Sequence, residues 1–260
     1  MSMRQRVAVL ASVALAALTG HLMAEPTAAA TAAFDTYAAS TEARLARQHA
    51  SASGFLVVQK PSADQPVIEN LSPADRDLPG AMLHHWRGSA FAPGATVAQL
   101  DRLLRNLSAY PQVFAPEVAA ARQLSGANGS DAVTAYLRLR QHHVLTVVLD
   151  STYGIDFGRL DAGHGYSLSR STHIAEIASA GTAAERALPP GEEHGFLWRL
   201  NTYWSWEERP EGLYIQIETI SLTRSIPPGL GWAVRPFVES IPRESLEFTL
   251  RSACKALGKS

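Results

Sequence analysis

Gly195-Phe-Leu-Trp-Arg-Leu-Asn-Thr-Tyr-Trp204 and, just beyond it, Leu213-Tyr-Ile-Gln-Ile-Glu-Thr-Ile-Ser-Leu-Thr-Arg224 carry the reading of the fold. Both runs alternate in side-chain character with the two-residue period of a strand whose faces meet different surroundings. Arg209-Pro-Glu-Gly212 between them has the composition of a turn. With Pro210 and Glu211 as a two-residue turn, the hairpin pairs Trp204 with Ile217, Trp206 with Ile215 and Tyr203 with Glu218. Another turn length would shift this register. Trp198, Leu200, Trp204 and Trp206 are predicted on one face, with Arg199, Asn201, Tyr203, Gln216 and Glu218 on the other.

Upstream, residues 133–140 alternate cleanly, and 144–157 and 166–177 are further strand-like runs. Asn128-Gly129 is a hairpin signal. Residues 82–91 read as a first strand. Thr96 then caps a helix over 97–107 that Tyr110-Pro111 stops, and 113–123 reads as the next strand. Downstream, Pro227-Pro-Gly229 breaks the last strand and 230–238 is helical. Ser240 caps a second helix with Pro242 in its first turn, where Leu246, Leu250, Ala253 and Leu257 form one apolar stripe and Gly258 is the stop. The order strand, helix, antiparallel strands, long C-terminal helix is α+β. A sheet with one apolar face needs a cover, and the terminal helix supplies it.

The remainder of the 260 residues sorts into two parts. Residues 1–24 carry Arg4 and Arg6 and then an apolar run over 7–18, too short to span a bilayer, which predicts a cleaved secretory signal and a periplasmic or secreted bacterial protein. Residues 25–80 read as a linker-like segment with a helix over 32–49 and a short strand near Phe55, leaving 81–260 as the folded domain. Lys plus Arg number 23 against 24 acidic residues, and loss of Arg4 and Arg6 takes the formal charge from −1 to about −3. That balance excludes a nucleic-acid partner held by phosphate attraction. One cysteine, Cys254, allows no internal disulfide and no cysteine-rich zinc site.

The run Gly195 to Trp204, the run Ile217 to Pro227 and the tail Ile241-Pro-Arg-Glu-Ser-Leu-Glu-Phe-Thr-Leu250 resemble uncharacterised secreted bacterial members of the START-like, polyketide-cyclase-like (SRPBCC) superfamily, over residues 81–257. The resemblance implies a helix-grip fold, an antiparallel sheet wrapped around the long C-terminal helix, with a cavity between them. Members bind lipids, sterols, hormones or polyketides, and some catalyse cyclisation or hydroxylation. A fold of that range does not set a function. The expected function is binding of a lipid or other hydrophobic small molecule. A cyclase- or hydrolase-type enzyme and an envelope protein with a filled core remain as alternatives.

The ligand-binding candidates are Trp198, Trp204, Trp206, Arg199, Tyr203 and Glu218. The tryptophan face is either core packing or the aromatic wall of an apolar pocket. The polar face is either solvated, with Arg199 and Glu218 as a surface ion pair, or the pocket itself. Tyr203, Ile220 and Leu222 make it apolar enough for the N-terminal segment to cover it. Arg138, Arg170 and Arg224 are weaker candidates, and Asp150 and Asp156 stand beside Glu218 as acid–base candidates. No catalytic residue is singled out and no cofactor is expected. Neighbouring strand residues such as His84 and His85 point to opposite faces and cannot easily share a metal ion. Ser252 and Lys255 have the serine–lysine spacing without its partner motifs.

Overall fold

The computed structural model describes residues 25–57, 61–62, 65–127, 129–142, 146–226 and 231–258, with the backbone alone for 231–239. The expected signal at 1–24, Asn128 of the hairpin signal and the breaker at 227–229 lie outside the described residues.

Residues 25–80, expected to be linker-like with one helix, hold that helix as α1 (Ala28–Gln48) and the short strands β1 (Val67–Asn70) and β2 (Asp77–Leu78). Thr27 caps α1, its hydroxyl accepting from the Ala30 amide at 3.0 Å. Ala30, Phe34, Ala38, Thr41 and Leu45 are buried along one side of α1, three or four residues apart. Next come β3 (Ala81–Pro93), α2 (Val97–Arg105), the short helix α3 (Tyr110–Val113), β4 (Val118–Ser125), β5 (Ala132–His142), β6 (Thr146–Arg159), β7 (His164–Ala178), β8 (Arg186–Ala187), β9 (Arg199–Arg209), β10 (Gly212–Arg224) and α4 (Gly231–Leu257).

Among the described residues the strands form one antiparallel sheet in the order β1-β3-β10-β9-β7-β6-β5-β4, with β2 on β3 and β8 on β7. The hairpin register is the expected one: Trp204 faces Ile217, Trp206 faces Ile215 and Tyr203 faces Glu218. Gly212 closes the Pro210–Glu211 turn at φ 144°, and an added Cβ there would lie 2.4 Å from the Ala92 carbonyl oxygen. Thr96 caps α2 in a full capping box with Gln99.

Three boundaries differ from expectation. Pro111 opens the short helix α3, in whose first turn its missing N–H costs little, so the strand expected from 113 starts at Val118. The last strand but one starts at Arg199 rather than 196. The two C-terminal helices are one helix, α4, with Ser240 and Pro242 in its interior. Its buried stripe Leu246, Leu250, Ala253 and Leu257 anchors it, and a proline there removes one amide bond without ending the helix.

The sheet is covered on both sides. Under α4 lies a core of Trp86, Trp204, Trp206, Ile215, Ile217 and the α4 stripe. On the other face Leu83, Trp198, Tyr203, Ile220 and Leu222 pack against Ala30, Phe34, Ala38 and Leu45 of α1. This double cover explains why β9 and β10 are buried on both faces, where an antiparallel strand usually shows one face to water. The antiparallel sheet gripped by the long C-terminal helix is the helix-grip α+β fold.

Candidate functional site

The α4 side is packed where it is described. An added Cβ at Gly165 would lie 2.5 Å from Trp206 Nε1, so the indole rests directly on the backbone of β7. The indole N–H groups of Trp86 and Trp206 are buried there without a hydrogen-bond partner. Trp198, expected beside Trp204 and Trp206, packs instead in the α1-side core. It precedes β9, so strand alternation does not fix its side, and its amide donates to the Leu222 carbonyl at 2.9 Å.

On the α1 side the three polar candidates bind α1 itself. Arg199 donates to Asp35 Oδ1 at 2.8 Å and stacks over the Phe34 ring. Tyr203 donates to Glu42 Oε1 at 2.9 Å, and Arg170 holds the same carboxylate at 2.8 and 3.0 Å. Glu218 is paired with Arg44. The expected Arg199–Glu218 surface pair is therefore corrected. Arg199 lies opposite Leu222 rather than Glu218 in the register, and Glu218 is 0% exposed under α1.

Glu218 is the centre of this face. Its Oε2 lies 3.0 Å from His85 Nε2, and its Oε1 accepts from Gln216 Nε2 at 3.2 Å with Arg87 at 3.9 Å. Burial pushes the Glu218 carboxyl up, but the His85 hydrogen bond and the Arg44 charge outweigh it and hold the group below the ordinary carboxylate range. His85 continues the chain, its Nδ1 lying 2.9 Å from the Tyr37 hydroxyl.

Tyr37, His85, Arg44 and Arg87 open on a cavity of about 420 Å³ between α1, β3, Val57 and Leu71, the last just after β1. Ser40, Thr41, Gln48, Val57 and Leu71 complete its walls, and the exposed Ser40 and Val57 mark its mouth. Glu218 touches the cavity only through His85, Arg44 and Arg87. Tyr37, Arg44 and Arg87 were not singled out from the sequence, and His85 was weighed only as a metal ligand beside His84. The signal that leads to two of them is the α1 stripe, which fixes how Tyr37 and Arg44 flank the buried side. Among the described residues no group of His, Cys, Asp and Glu is placed to hold a metal ion.

No protein-family model matches the sequence, and no curated protein sequence matches it. Solved structures do. A STAR-related lipid transfer protein of Xanthomonas axonopodis is 19% identical over 72% of this chain and 98% of that one, with a TM-score of 0.43. Human STARD10 is 12% identical over 82% and 78%, with a TM-score of 0.48. The ZhuI aromatase/cyclase of Streptomyces sp. R1128 is 12% identical over 67% and 93%, with a TM-score of 0.47. By its own topology the chain has the helix-grip α+β fold that its sequence resemblance implies.

Proposed function

We propose that the chain is a binding protein for a hydrophobic small molecule, received by the cavity between α1 and the sheet. The observation that carries this reading is that cavity. It is a concave space of about 420 Å³ with Val57 and Leu71 in its wall and Tyr37, Arg44, His85 and Arg87 converging at one end. Apolar walls with a few placed polar groups are the usual make-up of a small-molecule site. Apolar burial supplies affinity at about 25 cal/mol per Å², and the polar end sets orientation. Native mass spectrometry of the purified protein, followed by titration with a panel of fatty acids, sterols and aromatic acids, tests it. A bound molecule whose uptake Ser40→Trp blocks at the mouth is the expected result. An empty protein that takes up none of the panel overturns the reading.

A second reading has its own observation. The partnerless indole donor of Trp86 would suit an apolar ligand with a carbonyl or ether oxygen, held between the sheet and α4. Uptake unaffected by Ser40→Trp but accompanied by a change in tryptophan fluorescence favours that side. The proposal also places the protein in the periplasm or outside the cell, from the charge and apolar run of residues 1–24. Export with cleavage near Ala24, read by N-terminal mass spectrometry of the cell-envelope fraction, is the expected outcome.

A further inference from the structure

We infer that the cavity under α1 is a general-base site, which draws the proton of a weakly acidic ligand hydroxyl into the chain Tyr37–His85–Glu218. This rests on the reading of that cavity as a ligand site and adds a chemistry to it.

The geometry assigns each hydrogen. Ionised Glu218 only accepts, so His85 Nε2, at 3.0 Å, carries the proton that it donates. In the neutral imidazole His85 Nδ1 is then a bare lone pair, and the Tyr37 hydroxyl at 2.9 Å donates to it. The other acceptor near Tyr37, the Leu71 carbonyl, is farther away at 3.4 Å. With its one hydrogen turned to His85, the phenol oxygen is left with acceptor lone pairs on a residue that lines the cavity. A ligand O–H donates to it. A carboxylate that fixes the tautomer of a histidine, whose other nitrogen faces a hydroxyl, is the arrangement by which buried histidines take up protons.

The step balances without an added reagent. The ligand proton passes to the Tyr37 oxygen, and the Tyr37 proton passes to His85 Nδ1. The ligand is left as an oxyanion and His85 as an imidazolium against Glu218, with the total charge unchanged. The guanidiniums of Arg44 and Arg87 in the cavity wall stabilise the oxyanion. Burial first, and then the Glu218 charge, raise the Tyr37 phenol, so Tyr37 passes the proton on and stays neutral. The charged and titratable groups around the chain are Tyr37 and Arg44 of α1, His49 at its C-terminal end, His85 and Arg87 of β3 and Glu218 of β10. Glu69 of β1 is bound to Arg87 at 2.8 Å, and Asp75 follows β1 near Tyr37. A clamp that only held α1 down would need the Arg44–Glu218 pair and no hydroxyl bound to His85 Nδ1.

The test uses para-nitrophenol with the full-length protein, because its absorbance reports its own ionisation. The bound phenol is expected to ionise at a pH lower than free phenol by about one unit or more, tenfold in the equilibrium. Tyr37→Phe, checked for an unchanged urea midpoint, is expected to bind the probe without that shift, as a binding pocket lacking the relay would. An unshifted bound phenol, a shift that survives Tyr37→Phe, or no saturable binding of the probe overturns the inference. The ligand panel and Ser40→Trp judge the binding reading independently.

Discussion

At residue scale the buried ions divide unequally. The Glu218 side chain is 1% exposed and its partner Arg44 is 38% exposed. Arg44→Met leaves a desolvated carboxylate with His85, Gln216 and a more distant Arg87. Glu218→Gln leaves a guanidinium that water can reach. An unpaired buried charge costs several kcal/mol and a solvated one little. Arg44→Met is therefore expected to cost about 2–3 kcal/mol and Glu218→Gln about 1 kcal/mol, read as urea midpoints at pH 7. The reverse order would show that Glu218 gains no stability from Arg44. His49 and His84 set a pH dependence. His49 bonds Ser205 Oγ at 2.7 Å and stacks on Tyr166, His84 faces Thr223 Oγ1 at 3.2 Å, and burial holds both down to about 4. Above pH 6.5 both are neutral folded and unfolded, and their contribution is complete. Below it the unfolded chain binds protons that the folded chain refuses, so stability falls as pH drops toward 4, by up to about 1.4 kcal/mol per unit for each histidine. Glu218, with its lowered pKa, adds a loss in the same direction at the acid end. The urea midpoint is expected to be flat above pH 7 and to fall from 6.5 down; an equal midpoint at pH 7 and 5 would refute this.

At the scale of elements, α4 meets the sheet edge through one carboxyl that titrates in the opposite sense. Glu117, just before β4, accepts from Ser245 Oγ of α4 at 2.6 Å, and burial raises it to about 7. A raised carboxyl contributes its stability below the unfolded value of 4.5 and loses it as pH rises through 7. Two histidines pull one way over pH 5–6.5 and one glutamate the other, which is why the net slope stays that of the histidines. Glu117→Gln keeps an acceptor for Ser245 and removes the charge. It is expected to raise stability by about 1–2 kcal/mol at pH 8, discounted for partial exposure, and to change little at pH 5. A gain of the same size at both pH values would mean that Glu117 is not raised. The other cover, α1, is tied to the sheet by polar bonds at four levels along its length, Asp35 to Arg199, Tyr37 to His85, Glu42 to Tyr203 and Arg170, and Arg44 to Glu218. The apolar stripe supplies burial, and the polar ties fix the helix along the sheet.

At the scale of the whole molecule, legibility in the sequence follows locality. The β9–β10 register was readable because a two-residue turn and period-two alternation are local rules. The α4 stripe from Leu246 to Leu257 was readable for the same reason. The side taken by Trp198 was not, since it lies outside the strand that would fix it. Nor were the partners of Arg199 and Glu218, which lie more than 160 residues away on α1, in a segment whose alanine and threonine content resembles a linker. Of the cavity, Glu218 beneath it was named from the sequence as a binding residue; Tyr37, Arg44, His85 and Arg87 were not, because the cavity exists only where α1 crosses the sheet. A chain beginning at residue 52 therefore tests whether α1 is part of the fold or an appendage. Without α1, Leu83, Tyr203, Ile220 and Leu222, now at most 3% exposed, face water, and Glu218 loses Arg44. An apolar face of that size drives association. The shortened chain is expected to bind a hydrophobic dye strongly and to leave the monomer peak in size exclusion, and adding back a peptide of residues 25–51 is expected to reverse both. A shortened chain that stays monomeric, dye-free and as stable as the full one would reduce α1 to an ornament on a sheet that needs only α4.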